Sequence, residues 1–357
     1  ASDINSDLKR YEAEIQTVFK DFEVQEITPT TEQIKSAFNS RIKTNQTDNT
    51  NDKRINFWEV FDIFMKENGK LNNWTNSTFE KFNAIKNHIK DLKEDIEFEY
   101  FNKSGLSEYI IFLMEKKELR NSTIEKHWGF LKWFLKWANE NNYHNNEDYS
   151  IFKPQLKKTD KKIIFLSEEE LKQLISYKIP DSKQYLERVR DVFMFCCFTG
   201  LRYSDVFNLK REDIKKDTIE ITTVKTNDNL VIELNNISKQ ILDKYKDFCF
   251  EDNKALPVIS NQKMNDYLKE LCELAGINDL IRKIHFVGNK KVDKTYPKYS
   301  LIGTHTGRKT FICRALSKGV PVNIVMKWTG HSDYKSMKPY IDITNKTKAE
   351  YMRFLDL

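Results

Sequence analysis

The chain has 357 residues, 39% of them apolar and 13% aromatic, which is enough for two or three domains with cores and excludes wholesale disorder. Its 59 basic and 53 acidic residues leave a formal charge of +6, a mild excess that permits nucleic-acid binding without requiring it. No apolar run reaches membrane-spanning length, no signal peptide is visible, and the five cysteines (Cys196, Cys197, Cys249, Cys272, Cys313) form no CxxC pair; they read as reduced core thiols of a cytoplasmic protein.

Residues 1–24 read as a helix with a partial apolar stripe of Leu8, Ile15, Val18 and Phe19, and a short helix starts near Thr30 or Thr31 and ends near Phe38. The polar run from Thr44 to Lys53 reads as a linker, so residues 1–54 form an N-terminal helical segment and linker. From Phe57 to about Tyr143 the pattern is wholly helical. Four helices are predicted, the last opening at the N-cap cluster Asn121-Ser122-Thr123 and carrying Ile124, Trp128, Leu131, Leu135 and Ala138 at helical spacing. That bundle spans 55–145, and Lys126, Lys132 and Lys136 with Thr123 are its candidate DNA contacts, against the alternative of a solvated face. A basic linker follows at 146–163.

A new domain, 164–357, begins with the capping box Ser167…Glu170. Helices are predicted at 168–177 and 183–199. A hairpin follows, with Ile219, Ile221 and Thr223 alternating before an Asn227-Asp228-Asn229 turn and Leu230, Ile232 and Leu234 after it. Helices resume at 236–248 and 262–274, a basic stretch with strands spans Ile281–Lys298, and the last helices are expected at 304–317, 321–328 and 346–354. The fold class is mainly α with a small β-sheet. A first residue other than methionine reads as a processed or trimmed chain that has lost an N-terminal module.

Chemistry concentrates in this last domain. Arg202 follows Gly200-Leu201 at a helix end, and Asp205, three residues on, can brace it if the turn is helical. Lys225 lies near the hairpin turn; pressed among cations it would serve as a general acid. His305 and Arg308 share one helix face, with Thr304 as a candidate cap, and Lys309 adjoins them as a further DNA contact. His331 follows Gly330, and Tyr340 lies nine residues further on. Two arginines can neutralise non-bridging phosphate oxygens, histidines can hydrogen-bond them, and a tyrosine can attack. No zinc-type Cys/His cluster, P-loop or GxGxxG element appears, so neither metal nor other cofactor is expected. Pro339 should bias Lys338 away from helical geometry and put the tyrosine on a bent segment.

Together these residues resemble the tyrosine recombinase (phage integrase) family, in which arginine, lysine, His-x-x-Arg, a second histidine or tryptophan, and tyrosine occur in that order. Arg202, Lys225, His305, Arg308, His331 and Tyr340 fill the set, within Thr-Gly-Leu-Arg-Tyr-Ser-Asp, His-Thr-Gly-Arg-Lys-Thr-Phe and Gly-His-Ser. The resemblance is strongest to integrases of mobile genetic elements. It implies a helical core-binding domain and a mixed α/β catalytic domain closing as a C-shaped clamp on DNA, with residues 1–40 as the tail of an arm-binding domain. It also implies attack by Tyr340 to leave a 3′-phosphotyrosyl link, with Arg202, Arg308 and His331 on the phosphate, Lys225 as the acid and His305 assisting. A homo-tetramer on paired recombination sites in double-stranded DNA, a Holliday junction, accessory DNA-bending or directionality proteins, a nucleoid-associated cytoplasmic location and a C-terminal segment (Thr344 to Leu357) docking on a neighbouring protomer complete the picture. A type IB topoisomerase-like enzyme and a non-catalytic DNA-binding regulator are the competing readings.

Overall fold

The computed structural model describes residues 2–24, 28–38, 56–160 and 162–341, with side chains from Tyr11 onward. The chain divides into two compact units, Ala1–Lys117 with Thr123–Pro154, and Glu118–Ser122 with Gln155–Leu357.

The first unit is helical: α1 (Ser2–Val24), α2 (31–38), α3 (Phe57–Leu71), α4 (Asn76–Leu92), α5 (Lys103–Glu115), most of α6 (Asn121–Glu140) and the short α7 (Asp148–Ile151). Along α1, Val18 is buried while Ile15 and Phe19 stay exposed, so the apolar stripe is only partly used. Asn56 fixes the start of α3 by accepting the Trp58 N–H (2.9 Å), and Glu59 accepts the Asn56 N–H in return (3.3 Å). Apolar residues at helical spacing turn inward. Phe57, Phe61, Phe64, Phe82, Phe101 and Phe134 form an interlocked ring core, with centroids 4.6 Å apart at Phe61–Phe134 and 5.2 Å at Phe64–Phe82.

The second unit runs α8 (Glu168–Ser176), α9 (Tyr185–Thr199), α10 (Tyr203–Phe207), β1 (Thr218–Thr222), β2 (Asn229–Glu233), α11 (Asn236–Lys244), α12 (Asn261–Leu274), β3 (Leu280–Val287), β4 (Lys290–Pro297), α13 (Thr304–Ser317), α14 (Val322–Thr329) and α15 (Lys338–Ile341). The strands make two separate antiparallel hairpins, β1–β2 and β3–β4. The Ser167 hydroxyl accepts the Glu170 N–H (3.2 Å) and Glu170 accepts the Ser167 N–H (2.6 Å), the expected capping box. By contrast, Asn121 is the first helical residue of α6 and does not cap it. Its side chain accepts the Gly288 N–H (2.7 Å) and donates to the Gly288 and Lys157 carbonyls.

From Val192 to Thr199 helix α9 is buried on all sides, as its nearly unbroken apolar sequence there requires, and α11, α12 and α13 pack around the helix. Gly200 ends it in the left-handed conformation (φ 75°). Helix α13 crosses α9 at Gly307, where a Cβ would sit 2.8 Å from Cys196 Cβ. Gly307→Ala should therefore overpack the crossing and cost about 1–3 kcal/mol, seen as a lower urea midpoint at unchanged m-value. Four cysteines are buried; Cys249 is exposed, contrary to expectation, because it lies in the loop after α11 rather than on a core-facing helix. The helix expected at 346–354 and the docking segment Thr344 to Leu357 lie outside the described residues.

Candidate active site

Three turns of chain deliver the two arginines and the second histidine to one place. Arg202 occupies the residue before α10, just beyond the Gly200 turn, with its side chain free of any capping bond, and Arg308 stands on the first turns of α13. Arg308 is only 2% exposed. Its Nη1 donates to the Gly200 carbonyl (2.9 Å) and its Nη2 to the Thr329 carbonyl. Those carbonyls belong to the C-terminal ends of α9 and α14, so two helix ends present partial negative charge to one buried cation. Burial and the neighbouring Arg202 nevertheless lower the Arg308 pKa to about 10.

Asp205 is the carboxylate beside this pair, 3% exposed, with Oδ2 3.8 Å from Arg202 Nη1. Its other oxygen accepts the Val224 N–H (3.0 Å), tying the arginine to the loop that carries Lys225. Neither Arg202 Nη1 nor Asp205 Oδ2 has a hydrogen-bond partner, although both are buried. One carboxylate thus faces two guanidinium groups, and the pocket keeps a positive charge with donor capacity unused.

His331 follows Gly330, whose left-handed backbone (φ 58°) ends α14. Thr329 donates its hydroxyl proton to the Val325 carbonyl (2.6 Å), so at the 2.7 Å contact with His331 Nδ1 the ring nitrogen is the donor. Arg308 Nη2 lies 3.4 Å from both ring nitrogens, and with Nδ1 donating only Nε2 can accept from it. Desolvation and then Arg308, Arg202 and His305 lower the His331 pKa to about 4. His305 is also lowered to about 4, by its surroundings first and then by Lys309, Arg308, Arg202 and Lys225, even though part of its ring meets solvent. Both rings are neutral at pH 7.

Lys225 sits on the exposed turn between β1 and β2. That turn falls at 224–226, earlier than expected, because Thr223 organises it: its hydroxyl meets Thr226 Oγ1 (2.8 Å) and accepts the Asp228 N–H (3.1 Å), leaving Asn229 in β2. Tyr340 lies on α15, which packs on α13. Its half-buried ring rests against Ile312, Leu316, Val325 and Met337. Burial and then Cys313 raise the phenol pKa while Arg308 opposes them, so Arg308 is within electrostatic reach of the hydroxyl. Lys338 is helical despite preceding proline. Pro339 falls in the first turn, where no N–H is needed, and the Tyr340 N–H bonds the Met337 carbonyl (2.9 Å). Tyr334, the nearest other tyrosine in the sequence, is exposed on a separate short turn.

Sequence reasoning missed Thr329, Thr223 and Asn265. Asn265, from α12, accepts the Thr304 N–H (2.8 Å) and so caps α13; Thr304 is the first helical residue instead, with its hydroxyl on Asn261 Oδ1 (3.1 Å). The position of Thr329 one residue before a helix-ending glycine was an available signal, whereas Asn265 is 39 residues from its partner and had none. Lys309, adjoining the pocket, has its pKa lowered by burial and then Lys283. In the first unit, Lys126 is exposed on α6, Thr123 is half-buried, Lys132 donates to the Ser150 carbonyl (2.9 Å) and Lys136 pairs with Glu140 (3.5 Å). Among the described residues no group of three or more His, Cys, Asp or Glu side chains converges as metal ligands, and no helix is long and apolar enough to cross a membrane.

Residues 164–347 match the phage integrase family, and residues 56–157 match the phage integrase SAM-like domain. The chain belongs to the phage integrase family. It is a tyrosine-type site-specific recombinase, an enzyme of DNA strand breakage and rejoining, and membership favours this reading over a topoisomerase or a non-catalytic regulator. A tyrosine recombinase of Pseudothermotoga lettingae is 24% identical over 264 residues, covering 72% of this chain and 84% of the relative. Tyrosine recombinase XerA of Pyrococcus furiosus is 28% identical over 211 residues, 58% of this chain and 66% of the relative. In fold, the recombinase is similar to a lambda integrase solved as a dimer bound to a COC′ core site (TM-score 0.62, 13% identity, 80% of this chain and 95% of that one). It is also similar to the Tn1549 transposon integrase in complex with circular intermediate DNA (TM-score 0.57, 15% identity, 79% and 94%).

Proposed function

We propose that this recombinase integrates or excises a mobile element by attack of Tyr340 on a DNA phosphodiester. The observation that carries the reading is the pair Arg202 and Arg308 beside a single buried carboxylate, with Arg308 within electrostatic reach of the Tyr340 phenol. Such a pocket is short of negative charge, and a phosphate supplies it. In the reaction the Tyr340 oxygen bonds to phosphorus and the 5′-bridging oxygen leaves, giving a 3′-phosphotyrosyl link and a 5′-hydroxyl. The new ester retains the energy of the broken linkage, so a second 5′-hydroxyl can reverse the step on another strand.

Arg308 enters this scheme preorganised by its two carbonyls, and Arg202 brings the unpartnered Nη1 to a non-bridging oxygen. His331 contacts the other, with the incoming negative charge favouring protonation of Nε2. Lys225 delivers the proton to the leaving oxygen, and the neutral His305 accepts or relays one. Asp205 positions Arg202 and the Lys225 turn together. Residues 55–145 act as the core-binding domain, where Thr123, Lys126, Lys132 and Lys136 meet the DNA backbone; the exposed Lys136–Glu140 pair is weak enough to exchange for phosphate. Four protomers on two sites, exchanging strands through a Holliday junction with accessory DNA-bending or directionality proteins, complete the proposal. A lambda integrase has been solved as a tetramer on a Holliday junction, which supports extending that assembly to this chain.

The test is capture on nicked suicide duplexes followed by sequencing of the trapped ends, which should carry the protein on 3′-phosphates. Attachment to 5′ ends would overturn the assignment. Lys225→Ala should slow cleavage about 10²–10⁴-fold, the range for a removed general acid, and a 5′-bridging sulfur should restore most of the rate. Slow cleavage of the sulfur substrate as well would remove Lys225 from that role.

A further inference from the structure

The β3–β4 hairpin is not used by the chemistry above. Residues directly opposite in an antiparallel pair point to the same face, so the register sorts its side chains. One face carries Lys283 opposite Lys294, His285 opposite Val292, and Val287 opposite Lys290. The other carries Arg282, Ile284, Phe286, Lys291 and Asp293. Asp293 is the one acid in the hairpin, and it serves that second face: Arg282 Nε donates to both its oxygens (2.8 and 3.1 Å), and Lys291 lies at 3.9 Å. Both faces are partly covered: the Lys157 ammonium lies over the Phe286 ring on the second, and Lys283, His285, Val287 and Val292 are half-buried on the first, where Lys290 and Lys294 are exposed.

The first face has no such balance. Like charges directly opposite destabilise a strand pair, yet Lys283 faces Lys294, and no carboxylate among the described residues forms an ion pair with either. More cations close the ring. Lys283 acts on Lys309, the residue after Arg308, while Arg120 and Lys294 act on His285. Arg120, Lys283, Lys294 and Lys309 therefore make one cationic surface around His285, whose pKa burial, Arg120 and Lys294 lower, and it begins a single residue from the buried arginine of the pocket.

We propose that this face of the hairpin binds the phosphate backbone of duplex DNA flanking the scissile linkage. The inference rests on the DNA-cleaving assignment of the pocket, which it extends along the duplex. Lys290 and Lys294, four residues apart on β4, stand about 14 Å apart on this face, a spread suited to an extended charged polymer more than to a single ion. A duplex seated at Arg308 continues past Lys309, and its phosphates relieve the repulsion that the isolated hairpin carries.

The experiment is the salt dependence of duplex binding by the full chain, measured by fluorescence anisotropy. Lys283→Gln with Lys294→Gln should lower the log–log salt slope by about 1.8, or about 0.9 for each phosphate left unneutralised. Lys291→Gln, on the opposite face, should leave the slope unchanged, and Lys283→Arg with Lys294→Arg should preserve it while showing that the hairpin tolerates substitution. An unchanged slope in the double glutamine variant would overturn the proposal. So would an equal fall per charge in Lys291→Gln, which would reduce the effect to net charge. A double glutamine variant that binds polyglutamate less well but duplex as before would reassign the face to an acidic protein and overturn it too. Covalent trapping at saturating DNA is a separate readout, which the double glutamine variant should retain. If the unaltered protein forms no adduct, the cleavage reading fails, while a reduced slope would still support the surface.

Discussion

Tyr340→Phe is expected to abolish covalent capture of DNA while leaving fold and DNA affinity intact. The substitution removes one oxygen and keeps the ring, so packing against Ile312, Leu316, Val325 and Met337 persists. The neighbouring Tyr334 is exposed, and Tyr334→Phe should trap DNA normally. An adduct that survives Tyr340→Phe would mean that the nucleophile is elsewhere. Because α15 packs on α13 of its own chain, a protomer should use its own tyrosine in this conformation. Mixing Tyr340→Phe with an arginine-deficient variant should then restore no cleavage. Recovery in the mixture would show that the nucleophile is shared between protomers.

The second large effect concerns Arg308. Arg308→Ala should reduce cleavage by about 10²–10³-fold, the usual consequence of removing one preorganised donor to a developing charge. It should also lower stability, because the buried Gly200 and Thr329 carbonyls lose their donor, at about 1–3 kcal/mol for each unsatisfied group. The two effects are separable by measuring cleavage at saturating DNA beside a thermal melt. Arg308→Lys restores charge without the planar fork and should recover little activity. Wild-type cleavage by Arg308→Lys would show that the planar fork is dispensable to the mechanism.

Much of this arrangement is legible in the amino-acid sequence because much of it is local. Ser167 with Glu170, Gly200 after an apolar helix, and alternation through Ile219 and Ile232 each specify structure within a few residues. Order and spacing also suffice to nominate the pocket residues, since each sits at a helix end or turn where chain and chemistry coincide. What escapes is tertiary. The Asn265 side chain outcompetes Thr304 at the head of α13, and Asp205 reaches Val224 across nineteen positions. Pro339 departs from expectation for a different reason. Its effect depends on how many residues precede it in a helix, and a helix of one turn has no earlier carbonyl for the ring to strike.

The anchoring of Arg308 has a mechanical consequence. A single guanidinium moors the tail of α9 to the tail of α14, so the spacing of those two helix ends and the aim of the cation are one variable. Whatever spreads the ends apart disarms the pocket and, because α14 also supplies Val325 to the seat of the Tyr340 ring, disturbs the phenol with it.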